Sequence, residues 1–267
     1  MTAFTAHFIV EFRTGIRNRT LLLMNYLFPL MFYAFVGLIM TQINPLFTPQ
    51  LIPAMILFAV IVTTILGLPE PLVSARENGI FRSYKVTGVP ALSILTIPAV
   101  STLLHTGVVA LIILVTAPVF FDAPAPTNYF WLLVVFLAAM LAHAGLGVLI
   151  GVVSPSSRTT ILLQQAIFLP SMLLGGLMVP FDMLPTGVAR IAAIFPATQA
   201  MNAMMGLAMG KEVSMDPVRS IVLLIVGGLL AFGLALYLFS WDNQNSERRA
   251  SPLFALLAVI PYLVALL

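Results

Sequence analysis

The chain has 267 residues, of which 61% are hydrophobic and 8% charged, and its formal net charge is +3. Soluble domains are about 45–50% apolar and about 25% charged, so a soluble fold of this length could not bury so much apolar surface. Composition therefore predicts an integral membrane protein with several spans. There is no cysteine, which excludes disulfides and thiolate metal sites. The basic residues are spread over short loops, so no nucleic-acid partner is expected.

The first element, residues 1–19, has the pattern of an amphipathic helix. Aromatic and aliphatic residues recur every four positions, and two arginines lie on another side; they are Phe4, Phe8, Phe12 and Ile16, with Arg13 and Arg17. This pattern predicts an interfacial helix with its aromatic side chains in lipid. The alternative is an N-terminal flank that only fixes topology.

Six apolar segments then match the roughly 20 helical residues that a bilayer core requires. They cover residues 21–40, 51–73, 91–120, 129–153, 159–179 and 218–241. Residues 180–217 contain apolar runs too short to span and predict an outer re-entrant or interfacial segment. Residues 252–267 would rise only about 24 Å as an α-helix, so they form a marginal seventh span, an interfacial segment or an end packed on the bundle. The predicted fold class is an all-α polytopic membrane protein with a single transmembrane domain over 1–267.

Orientation follows from the placement of basic residues, which are enriched on the cytoplasmic side. With the N-terminus inside, nine basic residues lie on the inner side and three on the outer side or its border. The inner ones are Arg13, Arg17, Arg19, Arg76, Arg82, Lys85, Arg158, Arg248 and Arg249, and the outer ones are Arg190, Lys211 and Arg219. This count predicts a cytoplasmic N-terminus and a multi-pass protein of the plasma membrane.

The densest charge between two spans lies in residues 74–90, which this count places in the cytoplasm. Glu77, Arg82 and Lys85 alternate there with the aromatic residues Phe81 and Tyr84. Aromatic residues among charges are typical of a protein interface, so we expect another protein to bind this stretch, including Phe81 and Tyr84. The alternative is a solvated basic loop that only obeys the charge bias.

Catalytic patterns are weak. His7, His105 and His143 have no metal-ligand spacing, and residues 206–211 lack one residue of a phosphate-binding loop. Glu70 is the one acidic residue within a span, and it lies near the end of that span. Two alternatives use these features: an ion-gradient-driven secondary transporter with Glu70 and His105 or His143 as a proton path, and an intramembrane enzyme with all three residues. A third alternative is a non-transporting assembly or sensor subunit.

Four features together resemble the membrane subunit of type-2 ABC exporters, a family that includes bacterial drug-resistance and antibiotic efflux permeases. They are the amphipathic N-terminal helix, the stretch RENGIFRSYK at 76–85 followed by TGVP, the run GGLMVPFDMLP at 175–185, and FPATQAMNAMMGL at 195–207. The likeness covers the chain up to about residue 249. The family commonly ends after six helices, whereas this chain adds an apolar end.

The resemblance implies a permease that is not itself an enzyme and needs no cofactor of its own, since ATP and magnesium would bind a separate ATP-binding cassette subunit. The coupling helix that docks on that subunit would contain Glu77, Gly79, Phe81, Arg82, Tyr84 and Lys85. A second permease copy or a homologue would complete a dimer among membrane lipids. The expected function is efflux of a lipophilic or amphipathic compound, such as a drug, antibiotic or lipid, with antibiotic resistance as one outcome.

Polar side chains inside the predicted spans are candidates for the substrate path. They are Gln164, Gln165, His105 and His143. Hydrogen bonds between helices are an equally good account of the glutamines, and a structural hydrogen bond is the more frequent role of an isolated membrane histidine.

Overall fold

The computed structural model describes residues 3–242 and 250–266, and all regular elements in those ranges are helices. The predicted basic tail residues 248 and 249 lie outside this part. In chain order the helices are α1 (Ala3–Arg17), α2 (Arg19–Ile43), α3 (Phe47–Glu77), α4 (Ile80–Val86), α5 (Ala91–Phe121), α6 (Tyr129–Val153), α7 (Ser157–Leu174), α8 (Thr186–Ala192), α9 (Pro196–Ala208), α10 (Pro217–Leu238) and α11 (Pro252–Leu266). The predicted all-α polytopic fold is confirmed.

Helix α3 forms the centre of the bundle. Every residue of Leu51–Ile61 is buried, which fits a segment that is apolar on all sides. Helices α5, α6, α7 and α9 all pack against it. Both α3 and α5 contain 31 residues, more than the roughly 20 that a hydrocarbon core requires. The connection that joins them, including α4, lies at one end of this pair of long helices.

Glycines let α6 approach two neighbouring helices closely. Gly147 faces the backbone carbonyl of Thr64 in α3, and Gly151 faces Leu72 of the same helix. On another side, Gly145 faces the carbonyl of Gly228 in α10, at 2.7 Å from where its Cβ would stand. Small residues at these positions bring the backbones together, so van der Waals packing stabilises the bundle where the hydrophobic effect is weak.

Helix α7 is shorter and less apolar than the segment predicted at 159–179, since it ends at Leu174 and carries Arg158 and two glutamines. It is not among the five helices that qualify as spans on length and composition. Its 18 residues rise about 27 Å, and Ser157 at its start contacts Glu77 at the end of α3. Gly175, just after its end, lines the same cavity as Gln50 near the start of α3. Helix α7 therefore runs antiparallel to α3 along much of its length.

Between α7 and α10 the chain forms a bent pair. Helices α8 and α9 meet at 97°. Asn202 of α9 donates to Ser220 of α10, and the carbonyl of Ala208 at the end of α9 accepts from Thr127. The pair thus begins and ends at the end of the bundle opposite α4, which we call the far end.

The C-terminal helix α11 lies along α10 in the opposite direction. The Arg219 guanidinium, at the start of α10, donates to the carbonyl of Val264. The ring of Tyr262 packs against Gly227, where any side chain would clash with it. Residues Pro252–Val259 and Val264–Leu266 are wound as 3₁₀ helix rather than α-helix.

The predicted lipid exposure of the α1 aromatic residues is wrong for Phe12. Its ring stacks on His105 of α5, with centroids 4.5 Å apart and an interplanar angle of 9°. Phe8 packs beside it at 6.1 Å. Helix α1 therefore packs on α5 through this aromatic stack, whereas Ile16 of the same stripe is exposed.

Candidate functional site

The candidate site is the segment that connects α3 to α5, and its geometry depends on Gly79. This residue has φ of 72° and adopts the left-handed conformation between α3 and α4. No atom lies close to where its Cβ would be, so the requirement for glycine is conformational rather than steric. The turn lets α4 fold back as a separate helix beyond the end of α3.

The structure corrects the expected role of Phe81. Its side chain is 3% exposed and packs against Phe239, after the end of α10, with ring centroids 5.5 Å apart. Tyr84 stacks beside it at 6.5 Å and is half-buried. Because Phe81 already fills a pocket within its own chain, it cannot insert into a partner and instead fixes α4 to the bundle.

Two charged residues of α4 differ in their surroundings. Arg82 forms a salt bridge of 2.7 Å with Asp242, and about half of the Arg82 side chain remains exposed. An exposed pair of this kind contributes only about 0–1 kcal/mol, so its effect is mainly orientation. Lys85 is exposed on the same helix.

Glu77 contacts the beginning of α7. The hydroxyl oxygen of Ser157 lies 2.9 Å from Oε1 of Glu70 and 3.4 Å from Oε2 of Glu77. Two carboxylates on α3 therefore face the amino end of α7, where the helix dipole favours negative charge. Both carboxylates are exposed, so Glu70 and Glu77 form one acidic surface at this end of α3.

Arg76 is buried beneath the turn. Its guanidinium donates to the carbonyl of Val152 at 2.7 Å and to that of Ser154. These carbonyls end α6 and lack partners within the helix, so the arginine caps α6 and ties it to α3.

The apolar surface that α4 presents to solvent comes from residues that the sequence analysis did not single out. Val86 is 87% exposed and Ile80 is 44% exposed. The spacing of the residues in a helix could have predicted this exposure. Phe81 and Tyr84 are three positions apart and share one face of the helix, whereas Val86 lies about 140° around the helix from Phe81. Val86 is thus an exposed apolar side chain next to the exposed Lys85.

The substrate-path candidates are held by separate internal partners. Gln164 donates to the carbonyl of Leu66 at 3.0 Å, and Gln165 beside it is half-buried. Leu66 is the last residue of the π-helical turn Val62–Leu66, where the hydrogen-bond pattern of the α-helix is interrupted. The side-chain amide of Gln164 supplies a donor for the Leu66 carbonyl at this position. Gln164 therefore links α7 to α3.

His105 and His143 do not form a relay within the described residues. Nδ1 of His105 shares a 2.6 Å hydrogen bond with the Tyr26 hydroxyl, whereas Nδ1 of His143 donates to the carbonyl of Ala139 at 2.8 Å. Across residues 3–242 and 250–266, no three His, Cys, Asp or Glu side chains are grouped so that they could hold a metal ion.

The fold defines a polytopic all-α membrane protein in which the connection between α3 and α5 carries a separate short helix, α4. The family model described as ABC-2 family transporter protein matches residues 41–237, about three quarters of the chain. The chain therefore belongs to the ABC-2 transporter family and is the membrane-embedded permease component of an ABC transporter. Comparisons with curated proteins and with solved structures found no match.

Proposed function

We propose that this chain is the permease subunit of an ATP-driven exporter that moves a lipophilic or amphipathic compound out across the plasma membrane. The observation that carries the proposal is the exposed helix α4, in which Val86 is 87% exposed. A separate ATP-binding cassette subunit that docks there would bury this apolar surface and supply ATP and magnesium. A second permease copy or a homologue would complete the transporter.

In this proposal the residues of the α3–α5 connection have different tasks. Val86 and Ile80 contact the partner, and Lys85 sets orientation by charge. Phe81, Gly79 and the Arg82–Asp242 pair hold α4 in place. The N-terminus would lie in the cytoplasm, on the side of α4.

Copurification tests the docking surface. A tagged wild-type chain should retain an ATP-binding cassette subunit, identified by mass spectrometry, and Val86→Asp should reduce its recovery at least tenfold because a charge replaces a buried apolar contact. Val218→Asp is the matched control, since Val218 is also exposed but lies at the far end. Equal recovery from wild type and Val86→Asp would remove α4 as the docking site.

Transport itself separates this proposal from the ion-gradient alternative. Efflux should stop when the ATP-hydrolysing residues of the partner are replaced and should persist when ion gradients are collapsed. The reverse pattern would identify a secondary transporter, and a bound ATPase without any transport would identify an assembly or sensor subunit.

A further inference from the structure

The far end of the bundle contains a cavity of about 290 Å³ that is separate from the α4 surface. It lies between the start of α3, the end of α7, helix α9 and the loop before α10. Its volume is near the lower limit of small-molecule sites, which range over about 300–1,000 Å³. The cavity is therefore large enough for a compact organic molecule.

Gln50 brings a buried hydrogen-bond donor to this cavity. The residue belongs to the lining and is 6% exposed. Its side-chain amide nitrogen, Nε2, has no acceptor among the described residues. A buried donor without a partner destabilises the folded chain, so an oxygen atom supplied by a ligand would remove that cost.

Three other side chains with donor groups share the lining, and each one already donates to an acceptor of its own chain. The pairs are Thr198 with the Leu174 carbonyl, Ser214 with the Asp182 carboxylate, and Asn202 with the Met215 carbonyl and the Ser220 hydroxyl. Gln50 is therefore the side-chain donor that the described part of the lining leaves for a ligand.

The charges at the rim determine what kind of acceptor can bind. Asp182 and Glu212 are exposed carboxylates of the lining, and no basic side chain lines the cavity. A carboxylate or phosphate ligand would meet like charge there without compensation. An ammonium ligand would place further donors against the Gln50 donor. The ligand group that fits both conditions is an uncharged oxygen acceptor.

Apolar groups complete the lining. Met183, Met201 and Met205 surround the cavity together with the ring of Phe181. Methionine side chains are flexible and polarisable, so they adapt to apolar bodies of different shape. The cavity therefore combines one buried donor with an adaptable apolar wall.

We propose that this cavity binds an uncharged lipophilic molecule that carries a carbonyl group, as a ketone, ester or amide does. The carbonyl oxygen would accept a hydrogen bond from Nε2 of Gln50, and the apolar body would lie among the methionines. The proposal names a ligand class for the proposed exporter, and it rests on that function only in treating the ligand as cargo.

Binding is tested on the purified full chain by equilibrium dialysis, with the same detergent concentration on both sides of the dialysis membrane. Three compounds of matched shape are used: the ketone 4-phenyl-2-butanone, the alkene (3-methylbut-3-enyl)benzene, which has CH₂ in place of the carbonyl oxygen, and the protonated amine 4-phenylbutan-2-amine. The ketone should bind saturably and about tenfold more tightly than the amine, because only the ketone presents an acceptor to Gln50. Amine binding as tight as ketone binding, or no saturable binding of the ketone, would overturn the proposal.

The variant Gln50→Met keeps the length of the side chain but removes its donor. In this variant the ratio of ketone affinity to alkene affinity should fall about tenfold, because both compounds keep their apolar contacts and only the ketone loses a hydrogen bond. Gln165→Met is the matched control, since Gln165 is half-buried in α7 and does not line the cavity, and it should leave the ratio unchanged. An unchanged ratio in Gln50→Met would contradict the proposed contact.

Thermal unfolding without ligand tests whether the Gln50 amide is free in the native chain. Gln50→Met should unfold at or above the wild-type temperature, because it removes a buried donor that has no acceptor. A clear decrease would show that the amide already has a partner in the protein, and the proposal would fail. Independently, Met205→Trp should fill the cavity and weaken the ketone and the alkene alike, and unchanged ketone binding in that variant would place the site elsewhere.

These measurements contain neither ATP nor a partner subunit, so failed binding overturns this proposal alone. Unchanged copurification with Val86→Asp would bear on the proposed function alone.

Discussion

Single side chains of this protein mostly satisfy backbone groups that helix ends and π-helical turns leave open. The Arg76 guanidinium donates a hydrogen bond to a carbonyl at the end of α6, and the Gln164 amide donates one to the carbonyl of Leu66. In a membrane, an unpaired backbone carbonyl costs several kcal/mol, which explains why these polar side chains are buried. In the sequence these polar residues suggested a functional site, whereas in the structure their hydrogen bonds to backbone carbonyls hold the helices together.

Glu11 gives a prediction at this scale. Burial of α1 raises the pKa of the Glu11 carboxyl above its usual value. The folded chain therefore holds this proton more tightly than the unfolded chain, so the contribution of Glu11 to stability decreases as the pH rises through the raised pKa. Glu11→Gln should increase the unfolding temperature at pH 7.5 and leave it nearly unchanged at pH 4.

Thermal unfolding in detergent at the two pH values measures this effect. Asp122→Asn is the control for general removal of a negative charge, and it should not show the same pH dependence. An equal shift of Glu11→Gln at both pH values would show that burial of charge is not the cause.

At the scale of helices, a boundary could be predicted where a capping residue or a proline marks it in the sequence. Helix α6 begins and ends at the predicted residues because Asn128 caps its start and Ser154-Pro155 stops it. The end of α7 was missed because Gly175 and Gly176 lie within an apolar run that reads as a continuing span. The burial of Phe81 was also missed, since its partner Phe239 is 158 positions away and no local pattern reports it.

The close approach of α6 to α3 leads to an element-scale prediction. A methyl group on Gly147 would meet the carbonyl of Thr64, so Gly147→Ala should decrease the free energy of unfolding by about 1–3 kcal/mol. Gly233→Ala in α10 is the matched control, because no atom lies within 4 Å of its Cβ position. That control should be neutral or stabilising through the helix propensity of alanine, about 1 kcal/mol.

Chemical denaturation of both variants in mixed micelles provides the comparison. If Gly147→Ala and Gly233→Ala had the same stability, the α3–α6 contact would not be tight in the native protein.

For the whole molecule, α11 determines on which side the chain ends. A 3₁₀ helix rises about 2 Å per residue, so 11 residues of 3₁₀ and four of α-helix extend about 28 Å, close to the ~30 Å hydrocarbon core. The length predicted for an α-helix, about 24 Å, was too short because the winding was not foreseeable from an apolar sequence. We therefore expect α11 to cross the membrane and to end at the far end.

Cysteine labelling tests this topology, and the natural chain has no cysteine to interfere. With a membrane-impermeant maleimide on intact cells, Leu266→Cys should react like Lys211→Cys, at the far end. Ser251→Cys should react like Ser83→Cys in α4, only after the cells are permeabilised. Labelling of Leu266→Cys together with Ser83→Cys would show that α11 returns to the α4 side.

Helix α3 also has a mechanical consequence. Gln50 lies near its start at the far end, and Glu77 lies beside the turn to α4. Between them the α-helix is interrupted by the π-helical stretch Val62–Leu66 and by a turn at Gly67 and Leu68, so α3 consists of two helical halves with a joint. Movement of α4 would then act on this joint, and by reciprocity a change in the packing of the first half would alter the position of α4.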